Sequence, residues 1–430
     1  MKTQLLGLCA LAALGFADNA VAQTPAMAQA HPAGTKLRIE RARIDAALAQ
    51  MVADGRAVGV SALVWIDGRE VYFGARGDAD REAHKPMTRD TLIQIFSMTK
   101  PVTGVALMQL WEQGKFRIDD PLSDYLPEFA NVRVYAGTNA DGSVRTEAPH
   151  RPILIRDILR HTAGFSYGDS THPADLLFKQ ADPLGLDHDL PEFGRRLASV
   201  PLVYQPGTQW RYSAAVAVQG LLVEKLAGVP LETYVKAHVL DPLGMKDTGW
   251  TQPAERLPRL AAGYSKGPDG KLARMTDTEI RSINFAPRKL TPGDFGLIST
   301  SDDYMRFARM LLNKGSLDGV RLLKPSTVER MATDDLDPSI TERLWLPGKG
   351  NGGFGIDFFV RTGQPKTPEE NRGAVGEFFW DGAWSTLFWV DPANKLTAVF
   401  LVQTAPFDGT LHRDFRRAVY GADYQGPAGD

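Results

Sequence analysis

Hydrophobic positions near the amino end of the chain predict a helix followed by a β-hairpin. Across residues 38–56, apolar side chains recur at intervals of three and four, which predicts a helix that ends near Gly55. Residues 58–78 contain two runs rich in β-branched and aromatic side chains, joined by Asp67 and Gly68. An Asp-Gly pair between two such runs is typical of a tight hairpin turn.

Strand-like patterns return near the carboxyl end. Three apolar runs are separated by Gly, Pro, Asp and Asn residues, which favour turns. An amphipathic segment follows the last run and predicts a helix. The predicted strands are "GEFFWDGA", "STLFWV" and "LTAVFLV", and the predicted helix is "LHRDFRRAVYG".

Together these patterns predict one α/β (α+β) domain over residues 37–425. We expect a mostly antiparallel sheet flanked by helices and built from both chain ends, residues 37–118 and 291–425. Residues 119–290 show short helical patterns broken by Pro and Gly, so they are predicted to form an inserted all-helical region. A site is expected at the seam between the two parts.

The first 36 residues carry an export pattern. Lys2 precedes the apolar run "LLGLCALAALGF", which is too short to span a bilayer, and "NAVAQ" offers small residues before a cleavage point after Ala22. This predicts a signal peptide over residues 1–22 and a periplasmic or secreted protein without stable membrane insertion. Residues 23–36 are small and patternless, and predict a flexible leader.

Charge and cysteine content exclude several function classes. The 430 residues include 49 Lys and Arg against 51 Asp and Glu, so the chain has no basic excess for nucleic acid. Cys9, the single cysteine, lies in the predicted signal peptide, so the processed chain has no cysteine nucleophile and no thiolate metal ligand. Eight histidines show no His-Glu-x-x-His spacing, and we predict neither a metal nor another cofactor.

A Ser-x-x-Lys arrangement lies at the start of a predicted helix over residues 97–114. Serine is favoured at a helix start, and Lys100 lies one turn after Ser97 on the same face. A free lysine has a pKa of about 10.4, so Lys100 must be made easier to deprotonate before it can accept the serine proton. Burial and the positive helix end both act in that direction. The motif alone also fits an N-cap serine beside a surface lysine.

A second serine, Ser166, lies in "GFSYG" and fits Gly-x-Ser-x-Gly. That nucleophile elbow needs a strand before the serine and a helix after it. Here a helix-like run precedes Ser166 and a loop-like run follows, so Ser97 is favoured as the nucleophile. His161 is interpreted as a hydrogen-bonded loop residue rather than a triad base.

Two further segments carry candidate chemistry. Tyr212 and Ser213 precede a predicted helix that ends at Gly228. Tyr212 can act as a general base if positive neighbours lower its pKa, or it can be a packing residue with a satisfied hydroxyl. Gly382 at a strand end allows close approach to the backbone, and the Ala383 N–H is a candidate oxyanion donor. The alternative is that Gly382 and Ala383 form an ordinary strand end with a turn glycine.

These motifs, with "GKFRIDDPLSDYLPEF" and "ILRHTAGFSYG", resemble the serine β-lactamase and penicillin-binding-protein superfamily. The resemblance covers residues 37–425 and is greatest to the class C-like branch and the family VIII carboxylesterases. It implies a β-lactamase-like fold. The matching motifs, in chain order, are Ser97-Met98-Thr99-Lys100, Tyr212-Ser213 at the Tyr-x-Asn position, and Trp380-Asp381-Gly382 at the Lys-Thr-Gly or Trp-x-Gly position.

The resemblance also implies a role for each matched residue. Ser97 forms the acyl-enzyme, and Lys100 and Tyr212 share the proton transfers. The N–H groups of Ser97 and Ala383 form the oxyanion hole. The remaining matched positions are candidate substrate-binding residues, namely Ser213, Trp380, Asp381 and Gly382.

Three positions depart from the β-lactamase pattern. Ala214 stands where those enzymes have an Asn that binds a substrate amide, and Trp380 stands where they have a Lys that binds a carboxylate. Loss of both contacts disfavours penicillins and cell-wall peptides. Trp380 and Trp384 instead favour an apolar or aromatic acyl or alcohol group. Asp381 is interpreted as a surface strand residue, with repulsion of anionic substrates as the alternative.

The leading hypothesis is an exported carboxylesterase acting on small or medium esters. An amidase or peptidase for unusual or D-configured linkages, with weak β-lactamase activity, is the second. A catalytically silent binding or cell-wall-sensing protein is the third. The expected partner is a small-molecule ester or amide, acyl transfer to an alcohol is open, and the sequence predicts no particular oligomeric state.

Overall fold

The computed structural model describes residues 37–367, 369–424 and 426. The predicted signal peptide, residues 1–22, and the predicted leader, residues 23–36, lie outside the described residues. Within the described ranges, no helix combines the length and the apolar character needed to cross a bilayer.

Helices occur along the whole described chain. They are α1 Arg41–Ala53, α2 Thr99–Glu112, α3 Ile155–Leu159, α4 Pro173–Ala181, α5 Leu190–Ser199, α6 Ala215–Ala227, α7 Leu231–Val235, α8 Asp277–Arg281, α9 Ser301–Leu312, α10 Pro325–Met331 and α11 Gly409–Tyr420.

Strands lie mainly towards the two ends of the described chain. They are β1 Gly59–Ile66, β2 Arg69–Asp80, β3 Lys85–Pro86, β4 Ile93–Gln94, β5 Val134–Thr138, β6 Val144–Glu147, β7 Tyr264–Lys266, β8 Leu272–Arg274, β9 Ile298–Ser299, β10 Ser316–Leu317, β11 Val320–Arg321, β12 Gly352–Phe354, β13 Phe359–Arg361, β14 Phe378–Asp381, β15 Leu387–Asp391, β16 Leu396–Val402 and β17 Thr404–Ala405.

The main sheet joins the two ends of the chain. Its order is β12-β13-β14-β15-β16-β1-β2-β3, and neighbouring strands are antiparallel. At its centre β1 pairs with β16 from Val60 opposite Val402 to Ile66 opposite Leu396. Helices α1 and α9 pack against this sheet, and α11 packs against α1. The predicted α/β fold with a mostly antiparallel sheet is confirmed.

The predicted hairpin at Asp67 and Gly68 is also confirmed, since β1 pairs with β2 directly across this turn. Both turn residues have positive φ, +50° and +75°. This is the left-handed region that a two-residue turn of type I′ requires, and Asp and Gly tolerate it better than most residues do.

Residues 119–290 contain more helices than strands, but they also contain two short hairpins, so the prediction of an all-helical region is corrected in this detail. Strand β5 pairs with β6, and β7 pairs with β8 and, in parallel, with β17. The side chains of β5 and β6 are mostly exposed or half-buried, so they lack the apolar alternation that predicts a strand. The division of the chain at residues 118 and 291 stays a prediction.

Two helices in the middle of the fold bring distant segments together. Helix α2 packs on α6, and the segment containing Gly293 is wedged beside both. Thr103 of α2 donates a hydrogen bond to the Gly293 carbonyl over 2.6 Å. A Cβ on Gly220 of α6 would lie 3.0 Å from the Gly293 Cα, so only glycine permits this approach. The amino-terminal halves of α2 and α6 therefore meet beside residues 293–294.

Candidate active site

Ser97 lies on a tight turn that leads directly into α2. The turn, Phe96–Met98, is a 3₁₀ helix, and Phe96 has a φ of +45°, which is strained for an aromatic residue. Neighbouring elements hold the turn in place, since the Tyr304 hydroxyl donates to the Met98 carbonyl over 2.7 Å. Pro101 falls in the first turn of α2, where its missing N–H has no cost. The sequence prediction of a helix opening at Ser97 is confirmed.

Lys100 is almost fully buried and points back at Ser97. Its Nζ lies 3.1 Å from Ser97 Oγ and donates to the Asp294 carbonyl oxygen over 2.8 Å. Only 1% of Lys100 is exposed. The alternative of a surface lysine is thereby excluded, and the geometry is that of a nucleophile beside a base.

Tyr212, from the loop before α6, is the third side chain beside Ser97 and Lys100. The Trp380 indole N–H donates to the Tyr212 hydroxyl oxygen over 3.2 Å, and the Nζ of Lys100 lies 4.6 Å from the Tyr212 ring centre. Burial raises the pKa of Tyr212 well above its usual range, and the negative charges of Asp381 and Asp294 act in the same direction. The condition set for a phenolate base, a lowered pKa, is therefore not met.

Aromatic side chains surround Tyr212. Its ring centre lies 4.9 Å from that of His161, 5.3 Å from Trp380 and 5.4 Å from Tyr167. Such close ring contacts bury the phenol and restrict its motion. The Tyr212 hydroxyl is therefore held in one place relative to Ser97.

Two buried carboxyl groups near Lys100 have no counterpart among the motifs of the sequence. The Asp294 carboxyl accepts from the Tyr167 hydroxyl over 2.6 Å, and the Asp357 carboxyl accepts from the Gln219 amide over 2.9 Å. Burial raises the pKa of both carboxyl groups, although the positive charge of Lys100 opposes this. Only the tertiary fold brings them to Lys100, and no spacing in the sequence signals either residue.

His161 and Ser213 are hydrogen-bonded to each other in the interior. The Ser213 backbone N–H donates to His161 Nδ1 over 3.3 Å, and the Ser213 hydroxyl lies 3.3 Å from the same nitrogen. Burial lowers the pKa of His161 well below its usual range. His161 is a buried loop residue, as interpreted from the sequence. Ser213 is only 1% exposed, so the predicted contact between its side chain and substrate finds no support in this geometry.

Ser166 has none of the surroundings of a nucleophile. Its hydroxyl accepts from the Gly168 N–H over 3.3 Å and also bonds to Asp175. Helix α3 and a turn precede Ser166, and a loop leading to α4 follows it. The structure therefore lacks the strand–turn–helix that an elbow requires.

The end of β14 faces the Ser97 turn. A Cβ on Gly382 would lie 2.5 Å from the carbonyl oxygen of Ile95, so glycine is needed for this contact. Within the described residues, the N–H of Ala383 has no hydrogen-bond acceptor. The roles of Gly382 in close substrate approach and of Ala383 as an oxyanion donor stay predictions.

Asp381 is buried rather than on the surface, so that interpretation is wrong. It is 6% exposed and forms an ion pair with Lys349, and His412 Nδ1 lies 3.8 Å from the same carboxylate oxygen. Lys349 lies thirty-two residues earlier, at the end of the 3₁₀ helix Leu346–Lys349, and strand periodicity cannot reveal such a partner. In the described ranges, no cluster of three or more His, Cys, Asp or Glu residues could hold a metal ion.

Comparison with known proteins places this geometry in a family. The beta-lactamase family model matches residues 44–422. An uncharacterized protein of Mycobacterium tuberculosis is 37% identical over 357 residues, which cover 81% of this chain and 86% of that protein. Esterase EstB of Burkholderia gladioli is 32% identical over 401 residues, covering 88% and 95% of the two chains.

A solved structure extends the comparison to three dimensions. EstCE1, described as a hydrolase with promiscuous acyltransferase activity, superimposes with a TM-score of 0.72 and 28% identity, covering 88% of this chain and 98% of that chain. The family match spans the Ser97 turn, the Tyr212 loop and the end of β14. The chain therefore belongs to the beta-lactamase family and is a serine hydrolase of that fold.

Proposed function

We propose that this protein is an exported carboxylesterase that cleaves small to medium esters through an acyl-enzyme on Ser97. The observation that carries the proposal is the 3.1 Å separation of Lys100 Nζ and Ser97 Oγ, with Tyr212 beside both. The similarity to esterase EstB and to EstCE1 supports an ester as the substrate.

Acylation begins with proton transfer from Ser97 to the neutral amine of Lys100. The serine oxygen then attacks the ester carbonyl carbon, and the backbone N–H groups of Ser97 and Ala383 stabilise the oxyanion. When the carbon–oxygen bond to the alcohol breaks, the alcohol oxygen takes the Tyr212 proton, and Lys100 returns its proton to Tyr212. In deacylation, water attacks the acyl carbon and gives its proton to Tyr212, while Tyr212 passes its own proton to Lys100. Lys100 then returns a proton to the Ser97 oxygen as the carboxylic acid leaves.

The raised pKa of Tyr212 supports its role as proton donor and the role of Lys100 as proton acceptor. A phenol that is protonated at neutral pH can donate a proton to a leaving alkoxide, whereas it cannot start the reaction as a base. Lys100 is then the group that accepts the serine proton. Its second hydrogen bond, to the Asp294 carbonyl, fixes the amine at the required position.

Apolar surroundings support an uncharged substrate. The rings of Phe96 and Trp384 lie 4.5 Å apart and are partly exposed next to Ser97 and Ala383. Ala214, at the position where β-lactamases have an Asn, is completely buried. The substrate groups beside Ser97 therefore meet aromatic rings rather than an amide.

Hydrolysis of p-nitrophenyl butyrate tests the proposal. We expect Ser97→Ala to lower kcat by about 10⁴-fold or more. Ser166→Ala is the matched control, and it should keep activity within a few-fold of wild type while losing about 1 kcal/mol of stability with its hydrogen bonds. Turnover of a p-nitroanilide without turnover of the ester would favour the amidase hypothesis. Absence of both, with no fluorophosphonate labelling, would favour the silent binding protein.

Acyl transfer is a second candidate activity, and the similarity to EstCE1 favours it specifically. An acyl-enzyme can pass its acyl group to an alcohol in place of water. Product analysis in the presence of methanol distinguishes the two outcomes. Methyl butyrate in excess of the uncatalysed background supports transfer, and butyrate alone supports hydrolysis.

Export is the remaining part of the proposal. It rests on the apolar run after Lys2 and the small residues before Gln23. Mass spectrometry of the protein recovered from a secretion-competent bacterium tests it. An amino terminus at Gln23 in the periplasm or medium is expected, and an intact Met1 terminus in the cytosol contradicts export.

A further inference from the structure

We propose that Trp345 limits the size of the alcohol group that the site accepts, and that Lys349 and Asp381 hold it in position. The proposal rests on the proposed esterase function and adds the specificity of the same site. Trp345 belongs to residues 342–349, here named the wall segment. The wall segment is fixed at both ends to the parts of the chain that carry Tyr212 and Ala383.

The first attachment is to the Tyr212 loop. The Trp210 N–H donates to the Glu342 carbonyl over 2.8 Å, and the Leu344 N–H donates to the Trp210 carbonyl over 3.2 Å. Trp210 precedes Tyr212 by two residues. One end of the wall segment is therefore tied by backbone hydrogen bonds to the loop that positions the catalytic phenol.

The second attachment is to the end of β14. The ammonium of Lys349 pairs with Asp381 and lies 5.2 Å from the Trp380 ring centre and 4.7 Å from the Phe407 ring centre. Both members of the pair are largely shielded from water, with 19% and 9% of their side chains exposed. A shielded ion pair with two ring contacts is much harder to open than a surface pair. Asp381 precedes Ala383 by two residues.

Trp345 lies between these attachments in a strained backbone conformation. Its φ is +68°, which costs about 1–3 kcal/mol for a residue other than glycine and persists only where the surroundings impose it. The Gly348 N–H donates to the Trp345 carbonyl over 3.0 Å and closes the turn. The Trp345 ring centre lies 6.1 Å from that of Tyr212.

The position beside Tyr212 identifies the part of the substrate that Trp345 meets. Tyr212 gives its proton to the alcohol oxygen, so the alcohol group must lie next to its hydroxyl during acylation. An indole fixed on that side forms a rigid wall against bulky alcohol groups. Trp345 is therefore a specificity-determining residue for the alcohol, and Lys349 and Asp381 are positioning residues.

The test compares phenyl butyrate with 4-tert-butylphenyl butyrate, two esters whose leaving groups have similar acidity but different bulk. Trp345→Ala and Trp345→Gly should each raise the ratio of kcat/KM for the bulky over the small ester by about tenfold or more. The glycine variant also relieves the positive φ, so it keeps the test valid if the alanine variant folds poorly. Lys349→Met should shift the same ratio in the same direction, by less.

Two controls distinguish the effect of the Trp345 side chain from a general disturbance of the site. Gly348→Ala lies in the same segment, and its Cβ would have no atom within 4 Å, so the ratio should not change. The ratio for p-nitrophenyl acetate against octanoate, which varies the acyl group at a constant alcohol, should change less than threefold in the Trp345 variants. An unchanged alcohol ratio in both Trp345 variants, or a shift confined to the acyl series, would overturn the proposal. A wild type that cleaves none of these esters would instead remove the proposed function, and this inference with it.

Discussion

The indole N–H of Trp380 donates a hydrogen bond to the Tyr212 hydroxyl oxygen over 3.2 Å. Because the Tyr212 oxygen accepts from Trp380, its own proton remains available for the leaving alcohol, and the hydroxyl also forms a hydrogen bond with Ser97. By the resemblance, position 380 is that of a lysine in β-lactamases, and this chain has the neutral hydrogen-bond donor Trp there. Trp380 thus orients the phenol without attracting an anionic substrate.

Trp380→Phe removes that donor and keeps an aromatic ring. One hydrogen bond contributes about 1 kcal/mol, so kcat for p-nitrophenyl butyrate should fall about fivefold with little change in KM. Trp384→Phe is the comparison variant: it keeps an aromatic ring beside Ser97, and Trp384 makes no hydrogen bond to Tyr212, so its kcat should fall less than that of Trp380→Phe. Equal losses in the two variants would mean that aromatic packing, and not the hydrogen bond, is what the site requires.

Gly382→Ala tests the contact between β14 and the Ser97 turn. The new Cβ would lie 2.5 Å from the Ile95 carbonyl, so the two segments must separate and the Ala383 N–H must move with them. We expect kcat/KM to fall by about tenfold to a hundredfold, because loss of one oxyanion donor costs about 2.7–4 kcal/mol when complete. Gly249→Ala, where the nearest atoms would lie 3.5 Å from the Cβ, should leave kcat/KM unchanged. Full activity of Gly382→Ala would argue against an oxyanion site at this strand end.

The sequence predicts those parts of the molecule that local physics determines. The Asp67-Gly68 turn, the helix that begins after Ser97 and the helix that ends at Gly228 each depend on a few adjacent residues, and all three are observed. The Ser97 and Lys100 pair is equally local, because one helical turn sets the distance between the side chains. A motif of this kind can therefore be assigned from the amino-acid sequence alone.

The rest of the site depends on contacts between distant segments. Asp294 and Asp357 lie near Lys100 only after α2, α6 and the sheet have packed. Lys349 pairs with Asp381, which lies thirty-two residues later in the chain. The surface interpretation of Asp381 is wrong because a charged residue in a strand is usually exposed, and its partner has no fixed spacing from it. The protonation state of Tyr212 is equally hidden in the sequence, since its pKa depends on burial by side chains from several elements.

Tyr212→Phe tests the protonation state of the phenol. Because burial raises its pKa, Tyr212 stays protonated between about pH 6 and pH 9 and adds no ionisation to the rate profile there. The variant should lose about 10²-fold or more in kcat, while the pH of half-maximal rate stays where it is in wild type. Tyr135→Phe, on the β5 hairpin, controls for the loss of a hydroxyl. Disappearance of the acid limb in Tyr212→Phe alone would identify a phenolate base.

His412 gives the fold a dependence on acid. Burial lowers its pKa to about 4, against 6.5 for a free imidazole, despite the opposing charge of Asp381. As the pH falls from 6.5 to 4, the unfolded chain binds a proton that the folded chain does not, so stability is lost over this window. The loss of unfolding free energy approaches about 3 kcal/mol once the pH is below both pKa values.

Chemical denaturation at about pH 6.5 and about pH 4.5 measures this contribution. His412→Gln should show a smaller fall in unfolding free energy between the two values than wild type does, even if it is less stable at both. His84→Asn, at an exposed position, serves as the control and should match wild type. An identical fall in His412→Gln and wild type would show that other groups cause the acid sensitivity.

The central claim is that Ser97 carries the acyl group, and mass spectrometry of the trapped intermediate tests it most directly. Wild type mixed with excess p-nitrophenyl butyrate and quenched in acid within the first turnovers should yield a butyryl adduct on the peptide that contains Ser97. The adduct should be absent from Ser97→Ala and present in Ser166→Ala. An adduct on the Ser166 peptide, or continued hydrolysis by folded Ser97→Ala, would contradict the account.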